Sequence, residues 1–229
     1  MATPVTTRWS LIARAAGADV AHSSAALAEL CALWRPAVQT FLRRKSGTTQ
    51  AEDLTQSFFL HFIEHSVSAR AEPTRGRFRH FLYSVLQRWW IDQQRAAAAQ
   101  KRGSGSYAVD CDHLELFDAG ESPEAAFDRA WASCMLREGL RRIRSEADRN
   151  GRLPLFEAAA PFLLEEPEPG DYARAAASVA MQTNTFAVAV GRLRKRLQAV
   201  IREMVSDTTM DEREAAAELR HLRAALRNG

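Results

Sequence analysis

The stretch Gly76–Arg102, GRFRHFLYSVLQRWWIDQQRAAAAQKR, decides how the rest of the chain is read. Phe78, Phe81, Leu82, Val85, Leu86, Trp89 and Trp90 recur at steps of three and four residues. That spacing predicts one long helix with a wide apolar, aromatic face. Arg77, Arg79, Arg88, Arg95, Lys101 and Arg102 decorate the remainder against a single acid, Asp92. A helix that buries one face and carries cations and aromatics at its edges suits a nucleic-acid surface. The competing reading is a solvated basic helix on a helical core. Adjacent helical residues lie about 100° apart, so at least one of Trp89 and Trp90 is expected in the core.

Composition bounds the rest. The 229 residues suffice for one large or two small domains. Hydrophobic residues make up 46%, though alanine runs inflate that figure. The net charge of only +3 gives little general attraction to nucleic acid, so local clusters matter more. Lys and Arg gather in 77–102 and 192–202, acids in 157–171 and 207–218. Cys31, Cys111 and Cys134 are scattered and odd in number, which implies no disulfide framework and a reducing compartment. With no apolar run near twenty residues and no hydrophobic leader, a cytoplasmic protein without membrane attachment is expected. Cys111-Asp112-His113 supplies two metal ligands at most, and His61 with His65 has no third, so no metal or cofactor is expected. No nucleophile–base pair, P-loop or dinucleotide fingerprint is present, and no enzymatic activity is expected.

Upstream, residues 25–44 read as a helix capped by Ser23 or Ser24, kinked or split at Pro36 and ended by Gly47. Thr49 and Glu52 have capping-box spacing for a helix over 50–65. Leu54, Phe58, Phe59, Phe62 and Ile63 face inward there, while Asp53, Gln56 and Leu60 share another face that can meet a partner. The loop 66–76, SVSARAEPTRG, is the better place to hold an unpaired base, since a long helix alone forms no pocket. Gln93 and Arg95 are polar groups within reach along the helix.

Downstream, 103–123 lacks periodicity and reads as a linker. Helices are predicted over 124–148, 153–164, 172–178 and 183–204, with Asp171 placed to cap the third. Phe186, Val190, Leu193, Leu197, Val200 or Ile201, and Met204 mark the buried stripe of the last. Asn184, Ala187, Val188, Gly191, Arg192 and Lys195 lie opposite, the layout of a helix-turn-helix. Thr183, Asn184, Ala187 and Val188 are placed for base edges, asparagine for adenine and small apolar groups for the thymine methyl. Arg192, Arg194, Lys195 and Arg196 are placed for phosphates. Gly191 lowers helix stability by roughly 1 kcal/mol against alanine. Leu219, Leu222 and Leu226 space a further helix in the tail.

Two of these stretches carry a family resemblance. Ala51-Glu-Asp-Leu-Thr-Gln-Ser-Phe-Phe, then Gly76-Arg-Phe-Arg-His-Phe-Leu with Asp92 and Arg95, resembles region 2 of bacterial sigma factors. Tyr172 to Arg202, with Val188-Ala-Val-Gly-Arg-Leu-Arg-Lys-Arg, resembles region 4. The two-region plan is similar to the extracytoplasmic-function (ECF) group of the sigma-70 family, and Leu155 to Glu168 is similar to its large-ECF subset.

The resemblance implies an all-α chain of two helical domains joined by a linker. Its segments are 1–23, region 2 over 24–102, the linker 103–123, region 4 over 124–206 and a helical tail 207–229. It implies a promoter-specificity subunit that is no enzyme. Asp53, Gln56 and Leu60 would bind the clamp coiled coil of core RNA polymerase, with a further contact to the flap. Loop 66–76 and Arg75, Arg77, Arg79, Arg88, Gln93 and Arg95 would recognise and melt the −10 element. Thr183, Asn184, Ala187, Val188, Arg192, Lys195 and Arg196 would bind the −35 element. An anti-sigma factor or a Ser/Thr kinase would regulate it, the latter at Thr48, Thr49, Thr55 or Ser57.

The chain departs from the family at the turn, where Ala180 replaces a frequent glycine and Gln182-Thr-Asn-Thr replaces the usual serine-glutamate-glycine start. Registered on Phe78, Trp89-Trp90 falls about five residues too late for the tryptophan pair of housekeeping sigma factors. The alternative is a helix-turn-helix regulator that acts without polymerase, and a third reading is a structural or adaptor bundle.

Overall fold

Residues spaced for helices form helices. A computed structural model describes residues 20–64, 77–103 and 121–227, the side chains of 20–30 and 100–103 excepted. Among the described residues there are eight α-helices and no strand. They are α1 (Val20–Ser46), α2 (Thr48–Glu64), α3 (Phe78–Gly103) and α4 (Pro123–Arg149). Then come α5 (Leu153–Ala159), continued by a 3-10 turn over Ala160–Leu163, α6 (Asp171–Ser178), α7 (Thr183–Ser206) and α8 (Glu212–Arg227). The all-helical class is as expected.

The chain divides into two compact units, residues 1–134 with 205–229, and residues 135–204. That grouping differs from the segmentation by sequence. The first turns of α4, and the tail with α8, belong with the N-terminal helices.

In the first unit, the aromatic face of α3 is core. Phe78, Leu82, Leu86, Trp89 and Trp90 are all buried. Trp34 of α1 stacks on Trp131 of α4, with centroids 3.4 Å apart and planes within 3°. Phe58 of α2 meets Trp89 edge-on at 5.5 Å. Such aromatic pairs add about 0.5–1.5 kcal/mol each beyond their area. Gly47 takes a left-handed φ of 78° and donates its N–H to the Arg43 carbonyl at 3.0 Å, closing α1 as expected.

Two local expectations fail here, and so does one alternative of a third. The helix is already running at Val20, ahead of Ser23 and Ser24; the alanine-rich run that follows favours helix. It also passes through Pro36 without being split. The capping box does not form, because the Glu52 carboxylate accepts bonds from Arg35 and Gln39 of α1 instead.

The second unit packs Phe186 and Val190 of α7 on Ala159 and Ala176, with Leu155, Phe162 and Tyr172 around them. Phe162, Tyr172 and Phe186 meet edge to face at 5.2–6.1 Å. Between α6 and α7, Met181 donates its N–H to the Ala176 carbonyl at 2.9 Å and Ala180 donates to Ala177 at 3.2 Å. Ala180 has φ 54°. This is a Schellman closure with alanine at the left-handed position that glycine usually fills. Gly170, φ 93°, is the N-cap of α6, so Asp171 is its first helical residue; its carboxylate accepts the Glu168 N–H at 2.9 Å.

Candidate nucleic-acid interface

The N-terminal half of α7 carries the surface that sequence spacing assigned to base edges. Thr183, Asn184 and Val188 are exposed and Ala187 is half-buried. Val188 is 55% exposed, unusual for a branched apolar side chain. Arg192 and Lys195 extend the same stripe, and no described carboxylate pairs with either. Asn184, Val188, Arg192 and Arg196 line a groove of about 590 Å³ with Ile143 and Phe156. The stripe thus combines an amide, an exposed methyl pair and two cations beside an apolar hollow. Those groups can hydrogen-bond a base edge, touch a thymine methyl and hold phosphates.

Two arginines expected on phosphates are engaged within the protein. Arg194 donates from Nε to the Phe162 carbonyl at 2.8 Å and from Nη2 to the Glu165 carbonyl at 2.9 Å. It thereby satisfies carbonyls left over where the 3-10 turn ends. Arg196 forks onto Glu146 of α4, with Nε to Oε2 at 2.8 Å and Nη2 to Oε1 at 2.5 Å. The bond from Arg196 holds the Glu146 carboxyl below its ordinary pKa.

Glycines differ between the facing helices. A Cβ on Gly139 of α4 would stand 3.1 Å from both Ile201 and Leu197 of α7, so a methyl there would have to push both side chains aside by a few tenths of an ångström. A Cβ on Gly191 would meet nothing within 4 Å. No close approach inside the protein accounts for Gly191.

On α2, Asp53, Gln56 and Leu60 are exposed together, Leu60 at 56%. Ile63, expected inside, is 45% exposed and enlarges the apolar part of that surface. Thr48, Thr49 and Ser57 are exposed. Thr55 is fully buried and donates its hydroxyl to the Ala51 carbonyl at 2.6 Å, which removes it as a site for a kinase.

The cations of α3 fall into two groups. Arg88, Gln93 and Arg95 are exposed, Arg95 beside Asp92 at 3.7 Å. Arg79 was expected on DNA and is instead 4% exposed. Its Nε donates to Glu218 of α8 at 2.6 Å and its Nη1 to Asp128 of α4. Arg77 is half-buried and reaches Glu218 at 3.2 Å. His221 of α8 donates to the other Asp128 oxygen at 2.6 Å if its Nε2 carries the proton. His80 Nε2 accepts from Arg79 at 2.9 Å, since a guanidinium only donates.

Burial opposes the charges of Arg79 and Glu218, and pairing outweighs it. The Arg79 guanidinium is held above its ordinary pKa by Glu218 and Asp128. The Glu218 carboxyl is held below the usual range by Arg79. Burial and then Arg79 push His80 down, which keeps it neutral.

The position of Arg79 was readable from the period. At 3.6 residues per turn, Arg77, Arg88 and Arg95 fall within about 20° of one another, whereas Arg79 falls between Leu86 and Trp90. Glu218 likewise sits on the buried stripe of α8 between Ala215 and Leu222. An acid and a base, each on an apolar stripe, were the signal for a pair.

Arg75, Cys111, His113 and the loop 66–76 lie outside the described residues, as does most of the 103–123 segment. Burial pushes the Cys31 thiol up to about 11, and Cys134 is buried. Among the described residues no group of side chains is arranged to hold a metal, and no helix is long and apolar enough to cross a membrane. No family model matches the chain, and neither a curated protein nor a solved structure does.

Proposed function

We propose that the chain is a promoter-specificity subunit of bacterial RNA polymerase, of the extracytoplasmic-function type its sequence resembles. The observation that carries this reading is the helix pair α6–α7. A tight left-handed turn at Ala180 leaves Asn184, Val188, Arg192 and Lys195 on one open stripe. That stripe would enter the major groove of the −35 element, with Asn184 and Val188 on base edges and both cations on phosphates.

The remaining surfaces take complementary roles. Asp53, Gln56 and Leu60 would dock on the clamp coiled coil of the core enzyme. Arg77, Arg88, Gln93 and Arg95 would lie along the −10 strands as they separate. Bond chemistry belongs to the polymerase, and the subunit works in the cytoplasm beside it. An operator-binding regulator has no use for an exposed leucine and isoleucine on α2; a docking subunit does.

Two titrations test the assignment. Arg192→Ala with Lys195→Ala should weaken duplex promoter binding and lower the salt slope by about 1.8, two phosphates at roughly 0.9 each. An unchanged slope in fluorescence anisotropy removes α7 from the DNA. Leu60→Asp should abolish co-elution with sigma-free core polymerase while changing stability by less than about 0.5 kcal/mol. Co-elution that survives Leu60→Asp and Asp53→Ala together removes α2 from the core contact.

A further inference from the structure

The start of α3 is closed by the C-terminal end of the same chain. Phe78 donates its N–H to the Thr208 carbonyl at 3.1 Å, so a residue just before α8 occupies the helix N-terminus. Thr208 and Thr209 are buried there. Three residues at α3's leading edge are then engaged by α8, the turn before it and α4: Arg77, Phe78 and Arg79. Glu218 takes both arginines and is only 2% exposed. Ala215 and Leu222 anchor α8 by apolar contact on either side.

A helix N-terminus with two adjacent arginines is what an anionic strand would meet first. Here two carboxylates and a carbonyl hold those positions. Replacing a buried ion cluster by apolar residues is often neutral or stabilising, so burying one is a poor way to gain stability alone. It is a good way to make a contact that only another anion can replace. The guanidinium fork of Arg79 fits a carboxylate and a phosphate equally well.

We infer that α8 is a latch: Glu218, backed by Asp128, stands in for the backbone phosphates of a single strand on Arg77 and Arg79, and the strand-binding end of α3 opens only when α8 leaves. This rests on the reading of α3 as a strand-binding helix, and it adds the regulation of that surface. The latch is intramolecular, so it sets affinity without a second protein.

The test uses the full chain, the Glu218→Gln variant and a fluorescent single-stranded oligonucleotide at several salt concentrations. Glu218→Gln keeps the shape and removes the charge. Hydrogen exchange over 212–227 reports whether α8 is released, and Leu222→Asp provides a second way to release it should Glu218→Gln leave it docked. Duplex binding through α7 serves as the control for intact folding. With α8 released, single-strand affinity should rise about tenfold or more and the salt slope should steepen by about 1.4, two phosphates at roughly 0.7 each. Wild type and released variants that bind the strand equally would overturn the latch and leave the strand-binding reading standing. Released variants that bind no strand while the duplex control is intact would overturn both. Immediate exchange of the α8 amides in the wild type would also overturn the latch, because nothing would then be closed.

Discussion

Ala180 sits at φ 54°, where an L-residue meets its own carbonyl, at a cost of roughly 1–2 kcal/mol. Ala180→Gly should therefore raise the urea midpoint, with a net gain of about 0.5–1 kcal/mol after glycine's larger chain entropy is subtracted. A lowered midpoint would contradict the Schellman geometry. Arg79 is the opposite case. Arg79→Ala strands the Asp128 and Glu218 carboxylates in the interior and should destabilise by about 3–5 kcal/mol, read from the same denaturant titration. A loss under about 1 kcal/mol would mean that water reaches the cluster.

Acid should weaken the cluster in two stages. His80 titrates below its ordinary value in the folded chain, so the unfolded chain takes up the proton first. Stability is full above about pH 6.5 and falls as pH drops below it. Glu218 is also depressed, so its contribution is full above about pH 4.3 and is lost as pH falls through its folded value. Thermal midpoints from pH 8 down to about pH 2 should decline in that order, and Glu218→Gln should remove the lower stage.

At the scale of elements, two glycines in facing helices separate packing from function. A methyl on Gly139 would crowd Ile201 and Leu197, whereas one on Gly191 has nothing within reach. Gly191→Ala should raise thermal stability by roughly 1 kcal/mol through helix propensity. On the proposed interface the added methyl lies beside Val188 and Lys195, three and four residues away, and should weaken duplex binding several-fold. Higher stability with unchanged duplex affinity would place Gly191 off the DNA.

Helices were the most legible part of the sequence. The three- and four-residue spacing located α2 to α7 within about two residues at each end, with the 3-10 turn over Ala160–Leu163 counted as the end of α5. The buried stripe of α7, from Phe186 to Met204, was also readable. Capping was less so. Glu52 had the spacing for a local box, yet Arg35 and Gln39 seventeen and thirteen residues away hold it. A sequence pattern shows which acid is available and not which partner the fold brings to it.

At the scale of the molecule, that same limit hid the placement of the tail. Periodicity marked α8 as amphipathic but gave no address for its apolar side. Its place with the N-terminal helices depends on Glu218 meeting Arg79, 139 residues away in sequence. The α7 stripe was legible in residue type and order, apart from Arg194 and Arg196, whose partners again come from other elements. The division at 134 and 204 follows from such contacts and has no compositional mark in the chain.

The central proposal is that this chain gives core polymerase its promoter. The direct measurement is run-off transcription from the chain's own upstream DNA, with sigma-free core polymerase of the source bacterium and the purified protein. The account predicts discrete transcripts that require the chain and are lost with Arg192→Ala and Lys195→Ala together. Failure to form any complex with the core enzyme, alongside specific binding to the same DNA, would contradict it and leave an operator-binding regulator.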